Sequence, residues 1–186
     1  SQKQERAGTS SIMDWIEKCP LGGKRCFAGP WHPYTLSIRL PNLFAAYALL
    51  GEKEALSPEE REFFEQSLKA QDHYLENHFE WEHLGNHLLE NIKCLLMAGE
   101  FFDGEEADRW RAKAEELLLD QLGEQILPDG MHCERSPMYH ALLIDRLLDL
   151  ATVVSSQSLR NELERTIRRM LHCLLYFLTP GDDLPL

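Results

Sequence analysis

The chain has 186 residues and a mass of 21.5 kDa; it is 44% hydrophobic and 27% charged, with 11 Gly and 9 Pro. These are globular proportions that suit one domain with an ordinary core, and they exclude a disordered, collagenous or disulfide-scaffold chain. Nineteen Lys and Arg against 31 Asp and Glu leave a net charge of −12, which argues against nucleic acid as a partner and fits a highly sulfated polyanion poorly.

Residues 1–34 read as largely irregular or peripheral, with a long Gly-, Pro- and Trp-rich loop over 19–34. A helix is predicted from about Thr35 to Leu50. Ser57-Pro58-Glu59-Glu60 is a strong helix start: an N-cap Ser, Pro at the first helical position and Glu three residues after the cap. The run to about Glu80 carries Phe64, Leu68 and Leu75 on one face. Leu84, Leu88, Ile92, Leu95 and Leu96 mark the next helix, ending near Gly99. Trp110, Ala114, Leu117, Leu118, Leu122 and Ile126 mark another, broken by Leu127-Pro128-Asp129-Gly130. Met138, Leu142, Leu143, Leu147, Leu148 and Leu150 mark a further one. The last carries Leu159, Leu163, Ile167, Met170, Leu171, Leu174, Leu175 and Leu178 and stops at Pro180-Gly181. Helices 84–99 and 158–178 look apolar over more than half their circumference, as in an inner layer. The predicted class is all-α, a single domain over 1–186 with antiparallel helical hairpins over 35–180.

No apolar run approaches the ~20 residues that cross a bilayer, so no membrane partner is expected. The five cysteines, at 19, 26, 94, 133 and 173, are odd in number and form no C-x-x-C, so free or buried thiols are expected. The chain opens on Ser1 with no apolar signal segment ahead of it; a removed signal leaves the compartment open between periplasm and cytoplasm.

Two polar clusters sit at the starts of apolar helices. One is Glu82-His83-Leu84-Gly85-Asn86-His87-Leu88-Leu89-Glu90-Asn91, in which positions 83, 87, 90, 91 and 94 fall along one helical stripe. The other is Asp129-Gly130-Met131-His132-Cys133-Glu134-Arg135-Ser136-Pro137-Met138-Tyr139-His140. Polar groups on so apolar a helix must be paired or face a cavity. His83 and His87 have an i, i+4 spacing that can chelate zinc, but H-E-x-x-H is absent, so no metal is expected. Glu90 and Glu134 are candidate carboxyls for glycoside hydrolysis, a weak signal in so acidic a chain. β-Elimination next to a uronate carboxylate needs groups that damp charge, plus a base and an acid. Asn86, His87, Glu90, Tyr139 and His140 are the right types, and Arg135 could lower the pKa of Tyr139 or hold a substrate carboxylate. A non-catalytic glycan-binding module would instead rely on Trp31, Tyr34, Trp81 and Trp110 as stacking platforms.

Trp31-His32-Pro33-Tyr34 followed by Arg39 and Asn42 resembles a W-x-P-Y-x(4)-R-x-x-N stretch of the heparinase II/III family. Gly85-Asn86-His87-Leu88 with Glu90-Asn91 resembles that family's N-H-x-x-E/N helix. Gln125 through Asp129-Gly130 to Glu134-Arg135-Ser136-Pro137-Met138-Tyr139-His140 resembles its Q-x(3)-D-G-x(3)-E-R-S-P-x-Y-H segment. The resemblance implies an incomplete (α/α) toroid, followed in family members by a C-terminal β-sandwich. It implies β-eliminative cleavage of uronic-acid polysaccharides, with Asn86 and His87 neutralising the uronate carboxylate or assisting proton removal and Tyr139 acting as acid and base. Substrate contacts are then expected from Glu90, Glu134, Arg135, His140, Trp31 and Tyr34. No cofactor is implied in this chain; some members hold a structural metal in the β-sandwich. That domain, which also supplies a further catalytic His in the family, is not among residues 1–186, so the expected partners are an acidic polysaccharide and the β-sandwich of the same protein. The charge of −12 favours a uronate polymer less charged than heparin.

Overall fold

A computed structural model describes residues 2–22, 29–83, 85–178 and 181. Cys26 and the centre of the 19–34 loop, Leu84, and Pro180 lie outside the described residues. The order is α1 (Gln2–Lys18), α2 (Pro33–Glu52), α3 (Pro58–Glu76), α4 (Asn86–Phe101), α5 (Glu105–Gln125), α6 (Pro137–Val153) and α7 (Gln157–Leu174), closed by a 3₁₀ turn, Leu175–Phe177. Two compact units result, Ser1–Phe79 and Glu80–Leu186.

The first unit holds α1, α2 and α3. Helix α1 corrects the expectation that residues 1–34 are largely irregular: its apolar residues Ile12, Met13, Trp15 and Ile16 make a stripe of little more than one turn behind a polar first half, too short to mark the helix by periodicity. The predicted start of α3 is realised as a capping box. Ser57 Oγ accepts from Glu60 N–H at 3.2 Å, and Glu60 Oε2 accepts from Ser57 N–H at 2.8 Å. Phe64, Leu68 and Leu75 are wholly buried against α2, which contributes Leu36, Leu40 and Phe44. Arg39 donates twice to Gln71 Oε1, at 3.0 and 2.7 Å, and lies 4.2 Å over the Trp15 ring. Asn42 donates to the Ile38 carbonyl at 2.8 Å. Both residues are thus structural, as their spacing suggests.

The second unit pairs α4 with α5 and α6 with α7. Eleven of the sixteen residues of α4 are buried, so it is the inner helix. Helix α7 is not: it buries Leu159, Leu163, Thr166, Ile167, Met170 and Cys173, while Glu162–Arg165 and Glu164–Arg168 ion pairs face water. Leu171 and Leu175, counted towards its core from sequence, are 42% and 63% exposed. On α6, Met138 and Leu148 likewise point outward, and Ile144 takes a core place. Between α5 and α6 the predicted break forms a tight loop, with Leu127 N–H on Met131 O and Cys133 N–H on Gln125 O. No strand occurs among the described residues, only an isolated Ile126–His132 bridge. No described helix is long and apolar enough to cross a membrane. Cys19, Cys133 and Cys173 are free thiols, and Cys94 is buried.

The α4–α5 crossing is close because Gly99 has no side chain: a Cβ there would sit 2.7 Å from the Arg111 backbone nitrogen. Arg111 also donates to the Gly99 carbonyl. Gly99→Ala therefore forces the helices apart and should destabilise the second unit by about 1–3 kcal/mol, the usual cost of overpacking, read as a lower midpoint in urea unfolding.

Candidate active site

The two polar clusters meet at the start of α4. Gly85 is the N-cap and offers no side chain to the orphan amides of the first turn. Glu134 supplies the acceptor instead: its Oε1 takes the Asn86 N–H at 3.0 Å, across 48 residues of sequence. The carbonyl of the same Gly85–Asn86 peptide accepts from Gln125 Nε2 at 3.3 Å. Gly85 has φ of +98°, and a Cβ on it would fall 2.2 Å from Glu134 Oε1. Glycine is needed there for both reasons.

His87, one residue on, is oriented by a carboxylate. Its Nδ1 lies 3.0 Å from Glu80 Oε1, with the Glu80 side chain largely buried. Asn91 fixes Glu80 in turn: its Oδ1 accepts the Glu80 N–H at 2.8 Å and its Nδ2 donates to Glu80 Oε2 at 3.3 Å. A proton on Nδ1 leaves Nε2 as the basic nitrogen of the ring. His83 precedes α4, so the helical stripe expected from residue 83 begins only at His87; the two rings stack with centroids 5.8 Å apart. Among the described residues no three His, Cys, Asp or Glu side chains converge as a metal site does.

Farther along α4, Glu90 is buried and its Oε1 accepts from Arg146 Nε at 2.7 Å; Lys93 stands 3.8 Å from its other oxygen and 3.2 Å from Asp149. Burial acts to lower the Arg146 pKa, but Glu90, Asp145 and Asp149 outweigh it and hold the guanidinium above its ordinary value. Asn86, Glu90, Lys93 and Arg146 line a narrow, leucine-walled cleft between α4, α5 and α6.

Tyr139 stands half-buried on the first turn of α6, where Ser136 Oγ caps its backbone N–H at 3.4 Å. Arg135 is exposed, with φ of +54°, and lies outside α6, so it does not share a helical face with Tyr139. His140 is fully buried: Nδ1 accepts the His132 N–H at 3.2 Å and Nε2 bonds the Met170 carbonyl at 2.9 Å. Both ring nitrogens are spent on the backbone, which corrects its expected role in holding substrate. Trp31 is corrected likewise: it is 4% exposed, donates to the Cys19 carbonyl at 2.9 Å and packs edge-on against Tyr74. Tyr34 is half-buried on the first turn of α2. Trp110 is buried too, so two of the four aromatic platforms needed by a non-catalytic glycan module are core residues. In the hydrolase alternative both carboxyls are already engaged, Glu90 by Arg146 and Glu134 by an amide.

Sequence reading passed over Glu80 and Arg146, and it named Gln125 and His132 without a role in this arrangement. His132 Nε2 bonds Gln125 Oε1 at 3.0 Å, and its Nδ1 is buried with no hydrogen-bond partner among the described residues. Burial, opposed by Glu134 and reinforced by His140, lowers its pKa. Burial and the Glu134 charge raise the neighbouring Cys133, which keeps that exposed sulfur a thiol near neutrality.

The family model described as the heparinase II/III N-terminus matches residues 1–186. The chain belongs to that family. A heparin-sulfate lyase of Pedobacter heparinus is 28% identical over 191 residues, covering 100% of this chain and 29% of that protein. A heparin-sulfate lyase of Bacteroides stercoris is 26% identical over 186 residues, covering 88% and 28%. The crystal structure of heparan sulfate lyase HepC from Pedobacter heparinus matches with a TM-score of 0.79 at 27% identity, over 100% of this chain and 30% of that one. A heparinase III structure matches at 0.82 and 19% identity, which shows the shared fold. The fold class is therefore the all-α, incomplete (α/α) toroid type expected from sequence. The chain spans about three tenths of the length of these relatives.

The buried His132 makes stability depend on acid. Its folded pKa lies below the ordinary 6.5, so the unfolded chain takes up a proton first. Its contribution is complete above that ordinary value and is lost as pH falls from there through the folded pKa. His132→Gln should flatten that limb of a plot of unfolding midpoint against pH, and an unchanged limb would assign it to another group.

Proposed function

We propose that the protein is a lyase that cleaves a uronic-acid polysaccharide by β-elimination, with the site of the helical portion built on Asn86, His87 and Tyr139. The observation that carries this reading is the hydrogen bond from the Asn86 amide to Glu134. It brings the start of α4 to the segment that leads, five residues on, to Tyr139. Family membership and the lyase names of the relatives support it from a separate direction.

In the proposed reaction the Asn86 side-chain carboxamide and the His87 ring face the uronate carboxylate. They offset the charge that builds as the adjacent carbon loses its proton. A base takes that proton, the electron pair becomes the new carbon–carbon double bond, and the bond to the glycosidic oxygen breaks. Tyr139 donates its phenolic proton to that leaving oxygen, or serves first as the base and then returns the proton. Glu80 holds the His87 ring, so His87 offers a directed nitrogen. Lys93 and Arg146 lie along the adjoining cleft but are matched by Glu90 and Asp149, which leaves little uncompensated positive charge there. That balance, with the net −12, favours a sparsely sulfated uronate polymer, while the names of the relatives make heparan sulfate the first polymer to assay.

The full-length protein should release products carrying the ultraviolet absorbance of an unsaturated uronate from at least one polymer of a uronate panel. Hydrolysis would release products without it, and no product from any polymer would remove the lyase reading. Tyr139→Phe should cut the rate by about 10²–10⁴-fold with the thermal midpoint held. A full rate in that variant would dismiss Tyr139 as the acid.

A further inference from the structure

The Gly85–Asn86 peptide is gripped on both edges. Glu134 takes its N–H at 3.0 Å, and Gln125 donates to its carbonyl at 3.3 Å. We infer that Glu134 is a positioning residue, one that aims Asn86 and His87 by clamping this peptide and does not itself bind the sugar. The inference rests on the lyase reading above and assigns Glu134 a role different from the substrate contact expected from sequence.

Three observations carry it. The first turn of α4 has no acceptor of its own, since Gly85 makes no side-chain cap. A carboxylate from elsewhere fills that place, and a negative charge there also suits the positive end of the helix. Second, the space in which Glu134 sits exists only because residue 85 is glycine: a Cβ would stand 2.2 Å from Oε1. Third, the loop that presents Glu134 is tightly held. Arg135 adopts a left-handed φ of +54°, which a non-glycine residue takes only under constraint, and its N–H closes a turn onto the His132 carbonyl at 2.9 Å. His132 is anchored at 3.0 Å to Gln125, the other jaw of the clamp, and through its amide to His140. One connected set of bonds thus runs from the first turn of α4 to the first turn of α6, and those turns carry Asn86, His87 and Tyr139.

A clamp needs an acceptor, not a charge. In the full-length enzyme Glu134→Gln, which keeps an oxygen for the amide, should hold kcat within about threefold, allowing for the weaker bond of a neutral acceptor. Glu134→Ala should lose on the order of 10²-fold in kcat with KM little changed, as expected when a catalytic group is misplaced. Gly85→Ala, which displaces the carboxylate, should match it, and the double variant should be no worse than either single one. If Glu134→Gln is as slow as Glu134→Ala, or if KM rises while kcat holds, the carboxylate acts on substrate and the inference is overturned.

The Asn86 backbone amide resonance gives a readout free of catalysis. It should shift as Glu134 titrates, and it should lose that response in Glu134→Gln. If wild-type enzyme cleaves no uronate polymer, the lyase reading falls alone and this resonance decides the clamp: a shift sustains it, and an amide indifferent to Glu134 overturns it.

Discussion

The geometry of the candidate site depends on one peptide unit. The body of α4 is fixed by packing, since Leu88, Ile92, Leu95 and Leu96 are wholly buried. Packing of that kind sets where a helix axis lies but leaves its first turn free to fray, because the leading amides have no partner within the helix. Asn86 and His87 stand on that turn. The contact between Glu134 and the Asn86 amide removes the freedom, and Gln125 on the neighbouring carbonyl removes it from the other edge. The pair of side chains proposed to meet a substrate carboxylate is thereby given a direction.

A second constraint lies one turn deeper. Glu90 is a carboxylate inside an apolar helix, and such a charge is tolerable only when matched. Arg146 from α6 supplies the match, with Lys93 and Asp149 beside it. With Glu90 buried and Arg146 28% exposed, the pair adds little net stability against an apolar replacement, but loss of the arginine strands the carboxylate. Its effect is therefore specificity: it fixes the register of α4 against α6, the two helices whose first turns carry Asn86, His87 and Tyr139. Orientation of His87 by Glu80, itself held by Asn91, follows the same rule, in which each polar group near the core is secured by another.

The aromatic residues divide by the same logic. Trp31 and Trp110 bury their rings in the core, where a sugar cannot reach them. Trp81 remains 53% exposed and Tyr139 half-buried. Of the four aromatics that a glycan-stacking module would use, only Trp81 and Tyr34 stay outside the core.

Much of this was legible in the letters. Ser57-Pro58-Glu59-Glu60 specified a helix start because every bond it needs lies within four residues, and the core stripe of Phe64, Leu68 and Leu75 followed from helical periodicity alone. The segments around Asn86-His87 and Tyr139 stood out by residue type and by family resemblance. Helix α1 did not, because its apolar stripe of Ile12, Met13, Trp15 and Ile16 covers little more than one turn; nor did the outward aim of Met138, Leu148 and Leu171, since an apolar residue at a helix edge reads the same whether a neighbour covers it or not. His140 looked like a ligand for sugar and proved to be a buried strut, and Glu134, expected at the substrate, also accepts a backbone amide that no local pattern announces. The sequence by itself determined helices α2 to α7, their hairpin order and the chemical types available. Only the tertiary structure decided which polar groups stay open and which are used up on one another, because a hydrogen bond across 48 residues leaves no local periodicity to read.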